Sequence, residues 1–82
     1  QTTWQFNLPE AGHLTAGSYD LAGRSIVRLV DDRVSAGSHA VTWDGLAAHG
    51  DPAERGVYFV RATLRTTRGQ DAVRTQRVLV LR

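Results

Sequence analysis

The order of apolar residues predicts an all-β chain folded as an antiparallel β-sandwich of six to seven strands. Three observations carry that prediction. Apolar and polar residues alternate with a period of two along most of the chain, the pattern of half-buried strands. Turn-forming residues recur at intervals of about 8–12 positions, the spacing of short antiparallel strands. No stretch carries an apolar stripe at helical spacing, and "GLAAHGD" alone is helix-friendly, enough for a single turn.

Trp4, Phe6 and Leu8 alternate with Thr3, Gln5 and Asn7, and Pro9 ends this first strand, since proline cannot donate to a ladder. Leu14, Ala16 and Ser18 alternate with Thr15, Gly17 and Tyr19 in a weaker second strand. "DLAGR" (20–24) is a turn, with Gly23 where a left-handed backbone closes a short hairpin. "SIVRLV" (25–30) is the third strand, and the polar "DDRVSAG" (31–37) reads as a loop. In "SHAVTWD" (38–44), the fourth strand, Val41 and Trp43 share a face. A long connector over 44–56 precedes the strongest strand, "GVYFVRATLRT" (56–66), where Tyr58, Val60, Ala62 and Leu64 oppose Val57, Phe59 and Arg61. "TRGQD" turns around Gly69, and "AVRTQRVLVLR" (72–82) is the last strand.

Short strands at this spacing suggest a sandwich of immunoglobulin or fibronectin type III style, with a small closed barrel as the alternative. The expected core is Trp4, Phe6, Leu14, Ile26, Val41, Trp43, Tyr58, Val60, Leu64, Val78 and Val80. Eighty-two residues make one domain, 1–82, and one that buries only about 60–65% of its unfolded surface. Its stability margin should be thin.

Composition excludes several chemistries. There is no cysteine, so no disulfide, thiolate metal site or thiol nucleophile is available. All ten basic residues are arginine, which removes lysine-dependent chemistry. The net charge is only +2 and the arginines are spread from Arg24 to Arg82; this reads as solvated strand faces rather than a nucleic-acid patch. No apolar run approaches the roughly 20 residues of a membrane span. Methionine is absent, so the chain is expected to be a segment of a longer protein.

The connector "WDGLAAHGDPAERGVYF" (43–59) holds a histidine and three acids and invites a search for a site. His49, Asp51 and Asp44 could approach a metal, but Ala47 and Ala48 stand where a calcium loop needs oxygen ligands. His13, His39 and His49 lie in different segments, without a zinc-type pair. Ser18, Ser25, Ser35 and Ser38 have no nucleophile-elbow context. No metal, cofactor or catalytic residue is assigned. Asp44, Gly45, Gly50 and Pro52 each have a turn-building job instead, and Gly56 is expected to permit a close backbone approach. Only His49 is left without one. If Trp4, Trp43 and Tyr58 were exposed and coplanar, they could form a sugar-stacking platform, the mark of a carbohydrate-binding accessory module.

Taken in order, "FNLPEAGHLTAGSYDLAGRSIVRLVDDRVSAGSHAVTWDG", "RGVYFVRATL" and "RTQRVLVLR" resemble the FlgD-like Ig domain family. They are also similar to the type IX secretion C-terminal sorting domains of bacterial secreted proteins. The resemblance implies a non-catalytic Ig-like C-terminal module of a larger exported protein, secreted or held at the cell surface. In the flagellar relatives such a domain belongs to the hook-cap scaffold; in the sorting relatives it is recognised by export machinery or used for surface attachment. The partners implied are that machinery or cell-surface components, an N-terminal module of the same protein, and weak self-association. The implied recognition elements are Gly56, Val57 and Tyr58, and the terminal run Arg77, Val78, Leu79, Val80, Leu81 and Arg82. This chain departs from the family pattern at Ser18, where a valine or leucine is usual, and at Leu46, Ala47 and Ala48, where relatives are often acidic. Arg77 and Arg82 replace terminal lysines.

Overall fold

The computed structural model describes residues 2–47 and 50–81. They form six strands: β1 (Thr2–Leu8), β2 (Gly12–Tyr19), β3 (Ser25–Val34), β4 (Gly37–Trp43), β5 (Gly56–Thr66) and β6 (Asp71–Val80). All pairings are antiparallel. A two-stranded sheet, β1-β4, packs on a four-stranded sheet in the order β3-β2-β5-β6. Both sheets keep free edges, so the fold is a sandwich and not a closed barrel. The molecule measures 40 × 21 × 20 Å. At about 3.3 Å per residue, the eleven residues of β5 run nearly its whole length.

The expected alternation places the core. Leu14, Val41, Trp43, Tyr58, Val60, Leu64, Val78 and Val80 are buried, joined by Leu8, Ala16, Ala53 and Ala62. Three expected core residues, Trp4, Phe6 and Ile26, are only half-buried against it. Trp4 and Phe6 lie on the two-stranded sheet, whose width cannot cover all four strands opposite. Ile26 lies on an edge strand.

The segment expected as a loop, "DDRVSAG", is a strand as far as Val34. Asp31 and Asp32 face Thr15 and Leu14 across the ladder, and both are exposed. An edge strand can carry charges that a central one cannot. The register between β2 and β3 shifts at Ala16/Gly17 and at Ser18/Tyr19. Each bulge leaves one β3 residue extra, which is why "SIVRLV" lacks clean alternation.

Glycine does two different jobs here. Gly23, Gly45 and Gly50 have φ of 84°, 82° and 84°, the left-handed turn positions the sequence marks. The close approach expected at Gly56 is absent, because a Cβ there would meet open space. Gly12 makes it instead: a Cβ at that position would collide with the Arg65 carbonyl of β5.

Candidate docking surface on strands five and six

The described residues of the connector after β4 are held by bonds among themselves and by two rings of the core. The Asp44 carboxylate accepts the Leu46 amide at 3.0 Å, as expected of an aspartate just past a strand. Ala47 N–H donates to Asp51 O and Ala53 N–H to Gly45 O, and Leu46 bridges Pro52. The Trp43 Nε1–H donates to Leu46 O at 2.9 Å, and the Tyr58 hydroxyl to Glu54 O at 2.7 Å. Two buried rings thus bolt the connector to the core, and Ala53 enters that core. His49 and Ala48 lie outside the described residues. Among the described residues no group of three His, Cys, Asp or Glu side chains could hold a metal.

Trp43 and Tyr58 meet edge to face, centroids 5.2 Å apart and planes at 69°. Both are buried, and Trp4 is tilted by 41° to Phe6. Trp4, Trp43 and Tyr58 therefore do not form the exposed, coplanar platform that sugar stacking needs. Their rings are used as packing because each lies on the inward side of its pleat.

Acidic side chains serve turns, the β2–β3 side and, at Asp71, an ion pair with Arg65 of β5 at 3.2 Å. Asp20 accepts the Ala22 and Arg24 amides, each at 2.9 Å, and the Arg24 Nε–H at 2.9 Å. The Arg24 backbone bond is the main reason its carboxyl titrates below the ordinary aspartate range. Asp31 meets His13 Nε2 at 2.5 Å and Arg28 at 2.9 Å; the bond to His13 leads the lowering of its pKa. An open recess of about 600 Å³ lies between the 20–24 turn and the end of the connector. It mixes Asp20 and Glu54 with Arg24 and Arg55, so it carries no single-sign field.

The recognition residues separate by the pleat. Tyr58, Val78 and Val80 point into the core. Val57 and Leu79 are opposite each other on the outer face, as are Phe59 and Arg77. On this face Leu79 is 59% exposed and Val73 is 51% exposed, and Leu81 just beyond β6 is 72% exposed. Arg61 from β5 sits 4.8 Å over the Tyr19 ring. Among the described residues, Arg61, Arg74 and Arg77 form none of the ion pairs, which engage Arg24, Arg28, Arg65 and Arg68. Arg82 lies outside the described residues. Sequence alternation could locate this face, but "VLVLR" read as one element hides that its residues serve two opposite surfaces.

The two outer edges of the large sheet differ in kind. β3 is bulged twice and lined by acids and bases. β6 pairs with β5 over ten positions without a register shift and shows apolar residues outward. Native edges are usually blunted against pairing; β6 has Asp71 at its start and two arginines to do it.

Known proteins share this arrangement. The solved structure of FlgD from P. aeruginosa superposes with a TM-score of 0.71 at 26% identity, over 95% of this chain and 60% of that one. The chain thus spans about 60% of the length of that relative. No curated protein matches it. The family described as the FlgD Ig-like domain matches residues 1–68, up to the turn before β6. The chain belongs to the FlgD Ig-like domain family.

Proposed function

We propose that this domain is a non-catalytic assembly module of the hook-capping kind, docking against neighbouring protein subunits in a bacterial structure outside the cell. Family membership supports the reading. The observation that carries it is the outer face of β5 and β6, where Val57, Phe59 and Leu79 stand beside Arg77. Apolar residues ringed by arginine are the usual make-up of a protein-docking patch. Sedimentation velocity of the chain over a wide concentration range tests it. Mass should rise with concentration, and Leu79→Asp should abolish the rise. A monomer at every concentration counts against the assembly role.

A second reading, export or cell-surface attachment of a larger secreted protein, is favoured by one separate feature. β6 is a free, unbulged edge, suited to accept a strand from a partner by β-augmentation. Removing residues 78–82 is a poor test, because Val78 and Val80 belong to the core. Arg77→Glu with Leu79→Asp alters only the outward side. Normal export of a parent protein carrying that pair would contradict this reading.

A further inference from the structure

Cross-strand partners share a face, so the β5–β6 ladder arranges its outward side chains in rows. Val57 stands with Leu79, Phe59 with Arg77, Arg61 with Thr75, Thr63 with Val73, and Arg65 with Asp71. The ladder has no register shift, so the rows are evenly spaced. The face runs from an apolar pair at one end, through a ring beside a guanidinium, to a base beside an acid at the other. Arg65 and Asp71 meet at 3.2 Å, whereas Arg61 and Arg77 form none of the ion pairs among the described residues. Arg74 is opposite Ala62 and so lies on the inner side.

Such a face is self-complementary under one operation. A two-fold axis running along the strands, above the gap between β5 and β6, lays β5 of one copy on β6 of the other. Each residue then faces, in the second copy, the residue it pairs with in its own ladder. Val57 meets Leu79, the Phe59 ring meets the Arg77 guanidinium, a favourable cation–π arrangement, and Arg65 meets Asp71. Symmetry makes each contact twice. Other placements fail. Turning the copy end over end sets Val57 on Arg65 and Leu79 on Asp71, apolar against charge. Centring the axis between β2 and β5 leaves Val57 and Leu79 past the end of β2 at Tyr19, without cover.

We propose that the outer face of β5 and β6 binds a second copy of this chain through this two-fold stacking, row on identical row. The proposal rests on the assembly reading and gives it a partner and a geometry. Area sets its strength. Ten paired positions on two strands present a footprint of about 10 × 33 Å per copy. That is well under the roughly 800 Å² that each side of a stable complex buries. The pair is therefore weak, forming at high concentration or where a larger assembly holds the copies together.

Exchanging charge across the two-fold tests it. Arg65→Asp leaves two acids in the last row and Asp71→Arg leaves two bases, so each variant repels its own copy and suits the other. By sedimentation equilibrium, each variant alone should associate about tenfold more weakly than the unaltered chain. An equimolar mixture of the two should recover the association, which also shows that both are folded. Adding Leu79→Asp to both members should abolish the recovery, which attraction between net charges alone would survive. If the unaltered chain associates but either variant alone associates as strongly, or the mixture gains nothing over the variants, the two-fold is overturned and the assembly reading stands. A chain that stays monomeric at every concentration overturns both.

Discussion

Ser18 is the residue least suited to its place. It is fully buried, and its hydroxyl has no hydrogen-bond partner among the described residues. An unsatisfied buried hydroxyl costs about 1–3 kcal/mol, while alanine there loses only a small volume. Ser18→Ala should stabilise the domain by about 1 kcal/mol, raising its thermal midpoint by about 4–8 °C. A scanning calorimetry trace with a lower midpoint would contradict this. The sequence shows Ser18 as a polar residue on an apolar face, but not that its oxygen goes unsatisfied.

The two perturbed aspartates set the acid limb of stability. Asp20 and Asp31 both titrate below their ordinary value of 3.8 in the folded chain. A carboxylate with a depressed folded pKa contributes stability above its unfolded pKa and loses it as pH falls through the folded one. Stability should therefore decline as pH drops below about 4, and Asp20→Asn should flatten that decline. Urea midpoints measured across the acid range check it. An unchanged slope in the variant would mean that the 20–24 turn does not carry the effect.

Among elements, β5 was the most legible. Its bounds, 56–66, and its two faces follow directly from alternation, because a central strand buries one side completely. β3 was legible only in its first half. Asp31, Asp32 and Arg33 look like loop composition, and nothing local says that an edge strand will carry them past β2. The connector at 44–55 shows the reverse case. Its glycines and Asp44 announce turns, whereas the buried role of Ala53 depends on Trp43 and Tyr58 closing over it. Tertiary packing decided what local chemistry left open.

At the scale of the molecule, the sequence shows a sandwich and the succession of strands along the chain, but neither their pairing nor the two-over-four imbalance of the sheets. Alternation tells which side chains share a face; it does not tell which faces find cover. The imbalance leaves Trp4 and Phe6 half-buried, exposes Arg74 on an inner face, and leaves β6 free at its edge. Family membership accounts for the fold, while the face proposed for assembly spans β5, inside the residues that the family matches, and β6, beyond them. β6 gives Val78 and Val80 to the core with one side, and its other side is the one proposed to meet partners. The most direct test makes Val78→Ala, Val80→Ala, Arg77→Ala and Leu79→Ala, and measures the urea midpoint and the concentration-dependent mass of each. The inward pair should each lose about 2 kcal/mol. The outward pair should stay within about 0.5 kcal/mol of the unaltered chain and lose association. Outward variants that unfold as readily as the inward ones, or that still associate, would contradict it.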